Sequence, residues 1–228
     1  YLTYYLQNHF GYSPLRTGIA FLPMIGALVA TAPTAGQFLL RRLGTRGVLI
    51  LGIGIEAAAF AFLSRIDVDS AYAAAVVPGL LILGVGIGLV MPVAFNSGTR
   101  GIPGPHVGLA SAVLTVSQQI GASLGVALLA TYASKHVSTY VDEHAEQTKA
   151  QAMRALSQAQ ATPDSAAGQS IIARFTAELA DHAQISAYSG GFLLMACILI
   201  AVGALLGALT APAALRRARA ALQARRRG

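Results

Sequence analysis

Gly47-Val48-Leu49-Ile50-Leu51-Gly52-Ile53-Gly54-Ile55-Glu56-Ala57-Ala58-Ala59-Phe60-Ala61-Phe62-Leu63 is an apolar stretch with one carboxylate, Glu56, at its middle. A helix rises 1.5 Å per residue, so about 20 mostly apolar residues cross the hydrocarbon of a bilayer. Thr45 and Ser64 extend the stretch towards that length. Four others reach it: Thr17 to Leu40, Ala71 to Phe95, Leu109 to Ala133 and Ala187 to Ala211. An ionisable side chain at the centre of a span costs about 2.5–3.5 kcal/mol on insertion scales, so it faces a bundle interior or a water-filled path. The sequence therefore reads as an all-α membrane protein that moves protons or solutes.

The composition leads to the same class. Hydrophobic residues make up 55% of the chain and charged residues 11%, with a mean hydropathy of +0.60, a balance foreign to a soluble globular enzyme. The spans hold no acid/base pair, nucleophile constellation or metal cluster, so no catalytic residue, metal or cofactor is expected. Gly84-Val85-Gly86-Ile87-Gly88 superficially suggests a nucleotide loop, but it lies in an apolar span with no preceding strand and no lysine. Cys197 stands alone in the last span, which leaves no partner for an intrachain disulfide. His136, His144 and His182 match no zinc spacing and read as solvated side chains.

Basic residues assign the topology, because cytoplasmic connections retain Lys and Arg. Arg41, Arg42 and Arg46 follow the first full span, Arg100 the third, and Arg216, Arg217, Arg219, Arg225, Arg226 and Arg227 the last. The other connections carry Arg16, Arg65, Lys135, Lys149, Arg154 and Arg174, giving ten of sixteen on the inner side. The expected organisation is the outer end of a truncated helix in 1–10, where Tyr1, Tyr4 and Tyr5 suit a headgroup interface, then four transmembrane helices in 17–133. An extracytoplasmic amphipathic segment follows in 134–186, then the last transmembrane helix in 187–211 and a basic cytoplasmic tail in 212–228. That tail suits anionic lipid headgroups rather than nucleic acid, since no aromatic platform accompanies it. Within 134–186, two short amphipathic helices are expected, broken near Thr162-Pro163, with Ile171, Ile172, Phe175 and Leu179 recurring near helical spacing.

Inside the spans, small residues four apart at Gly121/Gly125 and Gly203/Gly207 predict close helix approach, and Pro23, Pro33, Pro78 and Pro92 predict kinks. From Leu109 to Ala133, helical spacing gathers Ser111, Thr115, Gln118, Ala122 and Gly125 on one side and Leu109, Val113, Val116, Ile120 and Leu124 on the other. The polar side is either a helix-packing surface or the wall of a substrate cavity. In the second case Gln118 is best able to contact a solute and Gln119 is a secondary candidate. Asn96, at the inner end of the preceding span, either caps its helix or gates the inner mouth. Glu56 has no basic partner on its own helix; it is either a proton-coupling group or a permanently protonated carboxyl bonded to a neighbouring helix.

Several motifs carry a family resemblance. Tyr5-Leu6-Gln7, the run Gly11-Tyr12-Ser13-Pro14-Leu15-Arg16-Thr17-Gly18, Leu22-Pro23 and Gly86-Ile87-Gly88-Leu89-Val90-Met91-Pro92 are joined by Gly108-Leu109-Ala110-Ser111, Gln119-Ile120-Gly121 and Gly125-Val126-Ala127. Together they resemble the fourteen-helix drug:proton antiporters of the major facilitator superfamily. The resemblance implies two six-helix halves with an extra helix pair, of which this chain would supply helix nine in part through helix fourteen, the C-terminal six-helix bundle. Gln37 to Arg46 is similar to the superfamily's basic cytoplasmic loop, with Leu39, Arg42, Gly44 and Arg46 in place. Gln37 replaces its first glycine, and Arg41 stands where an aspartate is usual.

The function so implied is proton-coupled efflux of drugs or other small amphipathic molecules across a bacterial cytoplasmic membrane. The partners would be a small-molecule substrate, protons, the lipid bilayer and the N-terminal half of the same transporter. The alternatives are a dedicated exporter of one endogenous metabolite or lipid, and a non-transporting membrane scaffold or sensor built on the long outer segment.

Overall fold

The computed structural model describes residues 2–4, 6–7, 11–34, 38–65, 72 and 76–225, with side chains among them except Tyr4 and 210–225. Tyr1 and Tyr5 of the aromatic run, Gln37 of the loop pattern, Ala71 at the start of the third span, and Arg226 and Arg227 of the tail lie outside the described residues.

The described residues form the helices α1 (Leu2–Tyr4), α2 (Pro14–Ala20), α3 (Leu22–Thr34), α4 (Leu40–Leu63), α5 (Val77–Thr99), α6 (Gly104–Gln158) and α7 (Ala166–Arg225), joined by turns. Five helical stretches among them are long and apolar enough to cross a membrane, with α2 and α3 together counting as one, Pro14–Thr34. Ser13 starts α2 as its N-cap, its hydroxyl accepting from the Arg16 amide at 3.3 Å. The break at Phe21 separates α2 from α3 just before Pro23, which has no N–H to continue the ladder. The Tyr72 hydroxyl donates to the Ala20 carbonyl at 2.6 Å beside that break.

Prolines bear on the helices less uniformly than their positions in apolar runs suggest. Pro78 lies in the first turn of α5, where a missing N–H costs nothing, and Pro23 likewise lies in the first turn of α3. Pro92 is the one deep in α5, and it withholds a helical donor from the Gly88 carbonyl.

α5 packs between α3 and α4, α4 packs in turn on α7, and α6 pairs with α7. One apolar cluster joins Leu6, Ala20, Leu63, Val76, Leu80, Ile185 and Phe192 at one end of the bundle. A smaller one joins Val48, Leu89 and Val93 towards the other end of α4 and α5. The Phe60 and Phe192 rings, 6.1 Å apart, tie α4 to α7.

The polar segment 134–186 breaks around Thr162-Pro163 as expected, between α6 and α7, but departs from expectation in its helices. It is not two separate short helices; its halves continue the fourth and fifth spans without a break, so that α6 runs 55 residues and α7 60. The physical reason is visible in the residues: 126–162 contains neither glycine nor proline and is rich in Ala, Gln, Glu and Lys, strong helix formers that propagate a helix already nucleated in the membrane. The two helices pair antiparallel. Tyr132 lies over Gly190, where a Cβ would collide with its hydroxyl, and His136 Nε2 and Ser186 Oγ are 3.2 Å apart. At the tip, α6 ends with the Ala161 amide donating to the Leu156 carbonyl at 3.0 Å and the Gln160 amide to Ser157 at 3.2 Å. That is a Schellman turn with a non-glycine, Gln160 at φ 51°, in the left-handed position.

Candidate functional site

Glycines decide how closely α5 approaches its neighbours, and the ones that do so are not those the spacing singled out. A Cβ at Gly88 would lie 2.8 Å from the Leu28 carbonyl oxygen, and one at Gly84 would collide with the Met24 carbonyl. Both therefore seat α5 on the α3 backbone. Gly86 points the other way: its Cβ would meet Glu56 Cγ at 2.5 Å, the Glu56 amide nitrogen at 3.0 Å and the Gly52 carbonyl oxygen at 3.1 Å. Gly52 reciprocates against Val90 and Leu89. The Gly84-to-Gly88 run is thus a two-sided packing surface. By contrast, Gly121, Gly125 and Gly207 meet nothing within 4 Å of a built Cβ, and Gly203 meets Ile53 only at 3.4 Å. The expected close approach is therefore missing at Gly121 and Gly125, where no second helix among the described residues lies opposite, whereas Gly203 meets Ile53 of α4 at ordinary contact distance; small residues promote contact only where a second helix lies opposite.

Glu56 is consequently set into the α4–α5 contact, half-buried, between the two apolar clusters. Among the described residues no hydrogen-bond or ion-pair partner faces its carboxyl group. The glycine opposite gives the side chain room that any larger residue would occupy.

The basic loop motif forms a bend at the start of α4. Gly44 adopts φ 68° and ψ 171° inside the helix, a left-handed φ that glycine takes without steric cost. Leu39 packs on the smaller apolar cluster. The Arg42 guanidinium lies over the Phe38 ring at 4.5 Å, Arg41 is exposed, and Arg46 donates to the Gly207 carbonyl of α7 at 2.7 Å. The motif therefore anchors α7 to the beginning of α4, a role the sequence pattern alone did not reveal.

The α6 face is laid out differently from Glu56. Ser111 is half-buried, while Thr115, Gln118 and Gln119 are exposed, and so are Leu109, Val113, Val116, Ile120 and Leu124 on the opposite side. Among the described residues neither side is covered; α5 touches α6 near its start, where a Cβ at Gly98 would meet Leu114 at 2.7 Å. The Thr115 hydroxyl donates to the Ser111 carbonyl at 3.0 Å, whereas the Gln118 and Gln119 amides have no protein partner among the described residues. Asn96 is exposed three residues before Thr99 ends α5; the Thr99 hydroxyl donates to its carbonyl at 3.5 Å, and its own side chain caps nothing. The structure brings Glu56 against α5 and leaves Ser111, Thr115, Gln118 and Gln119 on a separate open helix.

The histidines are less purely solvated than expected. His136 pairs with Ser186, and His144 Nδ1 donates to the Tyr140 carbonyl at 2.9 Å, while His182 is exposed. Cys197 is exposed on the apolar surface of α7.

Comparison with known proteins bears on this arrangement. Residues 1–126 match the sequence model of the Major Facilitator Superfamily. Over 147 residues, 63% of this chain and 29% of the relative, the chain is 36% identical to the puromycin resistance protein of Streptomyces alboniger. It is 30% identical to the tetracenomycin C resistance and export protein of Streptomyces glaucescens over 64% of this chain and 27% of that one. It is also 30% identical to a triacylglyceride transporter of Mycolicibacterium smegmatis over 218 residues, 89% of this chain and 34% of the relative. The matched segments thus span only about a third or less of these relatives' lengths.

Proposed function

The chain belongs to the Major Facilitator Superfamily, and from that premise we propose that it forms part of a fourteen-helix, proton-coupled exporter of small amphipathic molecules. The partner of this bundle would be the other half of the same transporter, with the substrate site between the two, and access would alternate as the halves rock. The inner side would hold the Arg46 bend and the C-terminal tail, following the distribution of basic residues.

The observation that carries this reading is Glu56. A protonatable group with no partner among the described residues, held at mid-span by a glycine contact, is suited to bind a proton from one side and release it to the other. Antibiotic resistance and export proteins among the relatives support efflux as the direction of transport. Ser111, Thr115, Gln118 and Gln119 form the proposed cavity wall, with Asn96 near its inner mouth.

A second reading has one specific observation in its favour. The match to the triacylglyceride transporter covers 89% of the chain, and so takes in the long α6–α7 hairpin. A dedicated lipid exporter would use that hairpin as a path away from the membrane.

The test uses everted vesicles containing the full-length protein. Energised vesicles should accumulate a cationic dye, and a protonophore should abolish the uptake. Protonophore-insensitive or absent dye uptake, with gradient-dependent movement of labelled triacylglycerol instead, would replace the drug reading with the lipid one.

A further inference from the structure

Beyond the spans, the paired polar stretches of α6 and α7 enclose a groove of about 250 Å³ lined by Tyr140, His144 and Gln147 from α6 and by Phe175, Glu178 and His182 from α7. We propose that this groove binds a small aromatic organic cation, with Glu178 as counter-charge and the Tyr140 and Phe175 rings as walls. The inference stands apart from the proton-coupled drug-export reading, since it uses none of the residues assigned to it.

Three observations fix the ligand's chemistry. The first is a preformed aromatic wall: the Tyr140 and His144 rings stack 4.1 Å apart and 14° from parallel. The hydrogen bond from His144 Nδ1 to the Tyr140 carbonyl holds the imidazole in place. A carbonyl oxygen only accepts, so Nδ1 carries a proton in this bond. Aromatic faces attract cations through the ring quadrupole.

The second is charge. Segment 134–186 carries six acidic residues against four lysines and arginines in a chain whose net charge is +7, so the hairpin is the acidic pole of a basic protein. Among the described residues the Glu178 carboxylate has no ion-pair partner, which disfavours an anion and suits a cation.

The third is size. The groove lies just below the range of about 300–1,000 Å³ common for drug-sized ligands, which admits a molecule of about a dozen non-hydrogen atoms. A bare metal ion does not fit the donor set: among the described residues no three His, Cys, Asp or Glu side chains are arranged to hold one.

The experiment uses the full-length protein in nanodiscs, carrying Gln151→Cys at the groove edge as the sole labelled thiol, with Cys197→Ser and any cysteine outside this chain replaced likewise. A trifluoromethyl label there reports local binding by fluorine NMR, independently of any site within the membrane. Benzyltrimethylammonium should produce a saturable shift, and the uncharged benzamide should produce none over the same concentrations. Glu178→Gln should weaken the cation's binding at least five-fold and Tyr140→Leu about three-fold, with Glu178→Asp staying within two-fold of the parent. Glu178 is exposed, so its two substitutions leave the hairpin folded and carry the test even if Tyr140→Leu, at a half-buried ring stacked on His144, does not. No saturable shift with the cation, undiminished binding in Glu178→Gln, or equal binding of benzamide would each overturn the proposal.

Discussion

Gly86 faces Glu56 across the α4–α5 contact so closely that a Cβ on the glycine would lie 2.5 Å from Glu56 Cγ. Cβ contacts that short do not occur in real structures, so the position is closed to any side chain while the helices keep their spacing. The obstacle includes backbone as well, with the Glu56 amide nitrogen at 3.0 Å and the Gly52 carbonyl at 3.1 Å.

Gly86→Ala should therefore destabilise the full-length protein by about 1–3 kcal/mol, the usual cost of overpacking a close contact. Gly121→Ala, which meets nothing within 4 Å in this chain, serves as the control. Thermal unfolding in detergent should lower the Tm of the first variant and leave the second near the parent. Equal behaviour of the two would contradict the packing described.

Arg46 holds Gly207 through a charge-assisted bond of 2.7 Å. Removing it in Arg46→Ala should cost about 1.5–3 kcal/mol and loosen the α7 end of the contact first. Hydrogen exchange read by mass spectrometry should rise around 204–209 before it rises around 185–192, where α7 packs into the larger apolar cluster. Uniform exchange along α7 would argue against a local anchor.

Two left-handed positions predict opposite outcomes. Gly44, at φ 68° and ψ 171°, a region essentially reserved for glycine, should lose about 1–3 kcal/mol when replaced by alanine. Gln160, at φ 51° in the Schellman turn, should gain about 1 kcal/mol when replaced by glycine, because the left-handed penalty disappears. Slower proteolysis at the hairpin tip of Gln160→Gly, and a lower Tm for Gly44→Ala, are the expected readouts.

The hydroxyl of Thr115 is committed to the Ser111 carbonyl, while the Gln118 amide has no protein partner among the described residues. On the proposed cavity assignment, Thr115→Val should change transport KM less than two-fold and Gln118→Ala should raise it several-fold. The reverse order would move the substrate contact away from Gln118.

Much of this was legible in the residues. Apolar length located the spans because bilayer thickness sets a hard minimum, and Glu56 stood out because a mid-span charge is costly. Other features were hidden for physical reasons. Hydropathy falls sharply after Ala133, yet a helix needs only propensity to continue, so the absence of breakers in 126–162 was the better signal for the long hairpin. Gly84/Gly88 and Gly121/Gly125 share the same spacing; only a helix lying opposite distinguishes a packed pair from an open one. The Arg46–Gly207 bond joins residues 161 positions apart, a separation that no local pattern encodes.

If Glu56 carries the proton that drives export, as proposed, adding substrate to acid-loaded everted vesicles should release protons. The vesicles should hold matched amounts of the full-length parent, Glu56→Gln or Glu56→Asp. A dye-dependent loss of the pH gradient is expected with the parent, none with Glu56→Gln and a partial one with Glu56→Asp, while dye binding persists in all three. Proton release by Glu56→Gln equal to the parent's would contradict the proposal.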